Sequence, residues 1–153
     1  MDLILWRHAE AVEGDTADDD MGRVLTPRGE KQAARMAAWL DRQLPDSARI
    51  WVSPARRTDQ TARALQRKFR SSQSLSPGAT SEQLLELVQW PHAKGCVLVV
   101  GHQPTLGQTI ANLLGLSASE CAVKKGALWW LRHREREAGA QTVVVTVQSP
   151  EVM

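Results

Sequence analysis

The stretch CVLVVGHQP, residues 96–104, decides how this chain folds. From Cys96 to Val100 five apolar residues follow one another without the polar alternation of a half-solvated strand. A strand of this kind is covered on both faces and belongs in the centre of a largely parallel sheet. Gly101-His102 ends it. Pro104 then opens a helix that runs through Leu114 and stops at Gly115, a residue suited to closing a helix.

The same strand–polar end–helix pattern repeats outward from this segment. Leu3 to Trp6 is a short buried strand that ends in Arg7-His8. After an acidic stretch between Glu10 and Arg23, read as a solvated loop, Thr26-Pro27 supplies an N-cap and a first helical position. Ala33, Met36, Ala37, Leu40 and Leu44 then recur at spacings of 3, 1, 3 and 4, one face of a helix that ends before Pro45. Ala48 to Ser53 (ARIWVS) is the next strand, and Ser53-Pro54 opens a helix whose inner positions are Ala55, Thr58, Ala62, Leu65 and Phe69. Residues 71–81 form a connection with a brief strand expected near Leu75, and a helix is expected from Glu82 to Gln89. ALWWLRH (127–133) and TVVVTVQ (142–148) are two closing strands joined by the charged turn REREAGA. Trp129 and Trp130 point to opposite faces of the sheet, one into the core and one under a helix.

These elements predict a single three-layer α/β domain over residues 1–153. Its largely parallel, mixed sheet has about five or six strands with helices on both faces, and its tail is loose after about residue 149. Bulk composition narrows the function classes. Lys and Arg number 19 and Asp and Glu 17, a net charge of +2, too balanced for a nucleic-acid binder. Two cysteines, Cys96 and Cys121, set up no disulfide framework. No run approaches the ~20 apolar residues of a membrane span, and the opening lacks a secretory signal's basic start, so the expected location is cytoplasmic. Asp15, Asp18, Asp19 and Asp20 lack the glycine and terminal glutamate of a calcium loop. His92 and His133 have no ligand-spaced companions and are read as surface residues, and no metal site or cofactor is expected.

Three strand ends carry the chemistry: Arg7-His8, Ser53-Pro54-Ala55-Arg56-Arg57, and Gly101-His102. Ligands in open α/β sheets bind at the carboxyl ends of strands. If these three are parallel neighbours, two imidazoles and two or three guanidiniums meet, a cluster that repels itself unless an anion sits among its members. Arg56 and Arg57 also occupy the first turn of a helix, where the backbone already presents about half a positive charge. That is unfavourable for arginine unless an oxyanion takes the helix N–H groups and a guanidinium together. Successive helical residues diverge by about 100°, so one arginine faces the anion and the other faces solvent.

Together, RHAE after the first strand, LTPRG before the first long helix, SPARRTDQT after the second strand and GHQP after the central strand resemble the motifs of the histidine phosphatase superfamily. The chain is most similar to its small SixA-type phosphohistidine phosphatase branch, and the likeness runs from about Leu3 to Leu114. The resemblance implies His8 as phosphoryl acceptor, with Arg7, Arg57 and His102 binding phosphate; RTDQT selects Arg57 over Arg56. The usual Arg-His-Gly is Arg-His-Ala here, a difference of one methyl group at Ala9.

The implied reaction needs a neutral His8, which neighbouring Arg7 and Arg57 favour, with its other ring nitrogen held by a fixed acceptor. Alkoxide leaving groups, whose conjugate acids resemble water at about 16, require a proton donor. Glu82 and Glu86 are the only acids in the relevant segment, and Glu82 is the candidate for that role. An imidazole leaving group, with a conjugate acid near 6.5, needs far less help. The expected substrate is therefore phosphohistidine on a protein such as a histidine phosphotransfer domain, with a small phosphomonoester as the alternative. A non-catalytic phosphate-binding module and a mutase are the remaining alternatives. Neither nucleic acid nor membrane is an expected partner.

Overall fold

The computed structural model describes residues 1–14 and 17–152. Its centre is the strand β4 (Cys96–Gly101), all six residues of which are buried. Parallel to it lie β1 (Asp2–Arg7) on one side and β2 (Arg49–Val52) on the other, and the two-residue β3 (Arg70–Ser71) extends the sheet beyond β2. The long hairpin of β5 (Leu128–Arg136) and β6 (Gly139–Gln148) joins antiparallel at the other side of β1. The result is a mixed, mostly parallel six-stranded sheet in the order β3-β2-β4-β1-β5-β6.

Register is what makes a site of this sheet. Arg7 pairs with Gly101 and Val52 with Val100. The carboxyl ends of β1, β4 and β2 therefore finish level with one another, and whatever follows each strand emerges at one place.

Alternation along the strands fills two cores. Ile4, Trp6, Ile50, Val52, Leu98 and Val100 face one way, and Leu3, Leu5, Val97 and Val99 the other. The first set packs under α1 (Pro27–Gln43) and α2 (Arg56–Arg63). The second packs under α3 (Ser81–Leu87) and α4 (Thr105–Leu114). The two tryptophans divide as their alternation requires: Trp130 is buried in the first core, and Trp129 packs half-buried against the second. Helix α1 starts where its sequence says, with the Thr26 hydroxyl accepting from the Gly29 N–H at 2.9 Å and Pro27 in the first turn. Its buried stripe of Ala33, Met36, Ala37 and Leu40 anchors it. Truncating a fully buried leucine such as Leu40 to alanine costs about 2–5 kcal/mol.

The structure departs from the sequence reading at several places. Helix α2 stops at Arg63, short of Phe69, because Gln66 takes a left-handed φ of 58° and turns the chain toward the sheet edge. Leu65 and Phe69 still reach the first core, Leu65 from a turn and Phe69 from the irregular stretch before β3. The brief strand is Arg70–Ser71, not a segment at Leu75, which is buried in a 3-10 turn. Most of the charged REREAGA stretch is strand, since β5 continues to Arg136 and β6 begins at Gly139. This end of the hairpin is largely exposed, so both faces tolerate charge. His133 is half-buried edge-on to Trp90, with ring centroids 5.7 Å apart, whereas His92 is exposed. At the tail, Pro150–Val152 form a 3-10 turn, and Arg35 Nη1 donates to the Pro150 carbonyl at 3.0 Å. Among the described residues, no helix is long and apolar enough to cross a membrane.

Candidate active site

His8 follows the last residue of β1 and is only 5 % exposed. Its backbone is pinned on both sides: its N–H donates to Gly101 O at 3.1 Å, and its carbonyl accepts from Gly126 N at 2.9 Å. The ring's Nδ1 lies 2.7 Å from the carbonyl oxygen of Ala9. A carbonyl only accepts, so Nδ1 carries the proton and Nε2 of the neutral ring keeps its lone pair. The next residue is tied down too, because Ala9 N–H donates to Thr61 Oγ1 of α2 at 3.1 Å. The Ala9 methyl is fully buried with Ala11, Leu25 and Ala33, so the extra carbon in RHAE is accommodated as packing.

The second strand end supplies Ser53, Arg56 and Arg57. Ala55 caps α2 without a side-chain bond, leaving the helix start open to other acceptors. Arg57 is 3 % exposed and Arg56 is exposed, the division that a helical rotation predicts. Arg57 Nη1 donates to the Asp20 carbonyl at 2.7 Å and Nη2 to Asp20 Oδ2 at 3.3 Å. From the first strand end, Arg7 Nη1 donates to Val123 O at 2.8 Å.

His102 follows β4, is 3 % exposed, and lies beside His8 with ring centroids 5.4 Å apart. Its Nε2 is 2.7 Å from the Ser53 hydroxyl. That hydroxyl already accepts from the Ala55 N–H at 3.3 Å. We assign the hydroxyl's own hydrogen to His102 Nε2, which puts the imidazole hydrogen on Nδ1, the tautomer that offers an anion a donor. Among the described residues, three buried polar atoms have no hydrogen-bond partner: Arg7 Nε, Arg57 Nε and His102 Nδ1. All three belong to this cluster, and in the assigned tautomer all three are donors.

Electrostatics follow from burial and from the crowding of positive charge. The His8 pKa is pushed down to about 4, first by burial and then by Arg57, Arg7 and Arg23, against the opposing effect of the Ala9 carbonyl. His102 falls to about 3, again first by burial, then by Arg57 and His8, with Asp20 opposing. Burial and the charge of Arg57 lower Arg7 as well. Both imidazoles are neutral at physiological pH. The cluster's positive charge comes from its guanidiniums, and among the described residues no group of three or more His, Cys, Asp or Glu is placed to hold a metal ion.

The structure brings His8, Arg7, Arg57 and His102 together. Glu82 lies elsewhere: exposed in the first turn of α3, it borders a surface groove with Thr80, Ser81, Gln108 and Asn112. It makes no hydrogen bond or ion pair to a described residue of the cluster. Three members were not singled out from sequence. In sequence Ser53 reads only as a helix opener. Arg23, a third guanidinium acting on His8, and Asp20, which bridges Arg23 and Arg57, lie in a stretch whose sequence reads as a solvated acidic loop. Their separation of three residues was the only available signal. Asp15 of that stretch lies outside the described residues.

A level row of strand ends carrying two neutral imidazoles and several arginines defines a phosphoryl-handling class of α/β protein, and comparison with known proteins places it. Residues 3–84 match the family model for the histidine phosphatase superfamily (branch 1), and the chain belongs to that family. A Haemophilus influenzae protein named as a phosphohistidine phosphatase SixA homolog is 29% identical over 130 residues, covering 75% of this chain and 78% of that protein. A solved structure from Agrobacterium tumefaciens, named as a candidate SixA phosphohistidine phosphatase, superposes with a TM-score of 0.80 at 26% identity, covering 97% of each chain. Another so named, from Nakamurella multipartitia, gives 0.79 at 28% identity, covering 97% of this chain and 95% of that one. The family read from the four motifs is the family the comparisons return.

Proposed function

We propose that this protein is a phosphohistidine phosphatase in which His8 Nε2 takes the phosphoryl group, with Arg7, Arg57 and His102 holding its oxygens. The observation that carries this reading is the set of three buried donors without partners, Arg7 Nε, Arg57 Nε and His102 Nδ1, gathered around a histidine of defined tautomer. Burying such donors unpaired costs about 1–3 kcal/mol apiece, more for a charged group. A tetrahedral oxyanion beside His8 would satisfy all of them.

The chemistry runs in two displacements. His8 Nε2 attacks phosphorus and forms a new P–N bond while the P–N bond to the substrate ring breaks. That ring, protonated beforehand on its other nitrogen, leaves as neutral imidazole, and the phosphorylated His8 keeps its Nδ1 proton. Water then attacks the phosphorus on His8, inorganic phosphate leaves, and the free imidazole of His8 returns. Guanidinium and imidazole donors, already in place, stabilise the charge on the equatorial oxygens during both steps. Arg7 and Arg57 supply positive charge, so this reading calls on no metal.

Phosphohistidine is favoured over a phosphomonoester by the position of Glu82, whose exposed carboxyl makes no contact with His8, Arg57 or His102. An imidazole, with a conjugate acid near 6.5, leaves without a strong proton donor. The names of the relatives agree with this substrate class, and a histidine phosphotransfer protein is the proposed partner. The test is release of phosphate from a phosphohistidine protein and from simple monoesters by wild type and His8→Ala. Loss of phosphohistidine turnover in the variant is expected. Equal rates for the two proteins would remove His8 from the reaction, and rapid turnover of monoesters alone would overturn the substrate.

A further inference from the structure

We infer that Asp20 is a positioning residue that holds Arg57 and Arg23 in place and limits their pull on the resting anion. This rests on the functional reading above. The carboxylate of Asp20 forms a bridge: Oδ2 accepts from Arg57 Nη2 at 3.3 Å, and Oδ1 accepts from Arg23 Nε at 3.2 Å. The Asp20 backbone carbonyl takes the remaining Arg57 amine, Nη1, at 2.7 Å. Arg23 is secured at its far side by Val12 O, 3.1 Å from Nη1. Asp20 therefore occupies the terminal nitrogens of Arg57 and leaves Nε, the atom buried without a partner, for the pocket.

Two consequences follow from one carboxylate. First, a guanidinium on a long side chain has considerable rotamer freedom to lose, and a fixed acceptor pair removes that freedom before substrate arrives. Displacement of a catalytic contact by about 1 Å can cost on the order of a hundredfold in rate. Second, a negative charge in contact with two of the site's arginines opposes any bound phosphate. It weakens the resting complex with phosphate, which is also the product. Asp20 is held ionised: the charges and hydrogen bonds of Arg57 and Arg23 keep its carboxyl below the usual carboxylate range, against the opposing effect of burial. It is 37 % exposed in its side chain, open enough for substitution without disturbing the core.

Asparagine at this position has the same shape but offers one oxygen and one N–H2, so one of the two arginines meets a donor instead of an acceptor. The test compares wild type, Asp20→Asn and Asp20→Glu by calorimetric titration with inorganic phosphate and by turnover of a phosphohistidine protein. For Asp20→Asn, kcat is expected to fall by roughly tenfold to a hundredfold. The phosphate Kd is expected to fall by roughly twofold to fivefold, the scale of one partly exposed charge. Asp20→Glu restores the phosphate Kd to near the wild-type value. A merely structural role would raise Kd as kcat falls, and that result, or an unchanged Kd, overturns the inference. If wild type proves inactive on phosphohistidine, the functional reading fails, while the phosphate titration still decides the role of Asp20.

Discussion

The rings of His8 and His102 face each other across 5.4 Å with their planes tilted by 55°, both buried and both bordered by arginine. Two imidazoles so placed resist protonation together. NMR titration of the ring nitrogens is expected to give a midpoint near 4 for His8 and near 3 for His102, in place of about 6.5. The stability consequence has a definite sign. Between pH 6.5 and 4 the unfolded chain binds protons that the folded protein refuses, so stability rises with pH across that window and is lost as pH falls. Urea unfolding measured from pH 7 to 4.5 should show this slope, and His8→Gln should flatten it. A His8 midpoint near 6.5 would contradict the assignment.

The contact of Ser53 with His102 Nε2 bears on which ring nitrogen carries hydrogen. In the assigned tautomer the Ser53 hydroxyl, which accepts from the Ala55 N–H, donates to His102 Nε2, 2.7 Å away, and leaves Nδ1–H for an anion. Ser53→Ala frees the ring to adopt the other tautomer, in which Nδ1 presents a lone pair to phosphate. We expect kcat/KM to fall by roughly tenfold or more, at the low end of general-acid and oxyanion contributions. The ring ¹⁵N shifts of His102 should report a mixed tautomer. Retention of the Nδ1–H form with an unchanged rate would show that Ser53 plays no such part.

How much of this was legible in sequence depends on the range of the interactions. β4 was legible because burial on both faces leaves an unbroken apolar run, and Arg7-His8 and Gly101-His102 were legible because strand ends in such sheets carry the site. The choice of Arg57 over Arg56 came from motif spacing, and helical rotation agrees with it. Asp20 was not legible: its role is a contact with a residue 37 positions away, and in composition it is one aspartate among several. The end of α2 was hidden for a local reason, since Gln66 adopts a left-handed conformation that its residue type does not advertise. Glu82 came from counting acids in a segment whose three-dimensional course the pattern could not supply.

The adjacent arginines provide an internal control. Arg57 is buried and its Nε has no partner among the described residues, while Arg56 is exposed. Arg57→Ala removes a charged donor from the oxyanion site and is expected to lower kcat/KM by about a hundredfold to a thousandfold. It should also raise the His8 pKa, since the Arg57 charge is one of the causes holding it down. Arg56→Ala, a surface change, should stay within about 0.5 kcal/mol in stability and leave turnover close to wild type. Steady-state kinetics of the two variants side by side checks this, and equal losses would mean that the helix start as a whole, not one arginine, serves the anion.

Gly29 packs the first helix against the turn that follows His8, and its substitution tests that connection. Replacing glycine by alanine inside an exposed helix usually stabilises by about 1 kcal/mol. Here the added Cβ would run into the backbone of Glu10, its carbonyl oxygen first. That carbonyl cannot move freely, because it accepts from Thr26 N–H at 3.0 Å at the start of α1. Two residues before it is His8, whose ring is held by Ala9 O. The clash, with overpacking costs of about 1–3 kcal/mol, outweighs the propensity gain. Gly29→Ala is therefore expected to lower stability in urea unfolding and to lower kcat as the Ala9–Glu10 turn shifts. A higher Tm with full activity would show that the turn can yield at no cost, and that the close packing of α1 on it does not hold His8 in position.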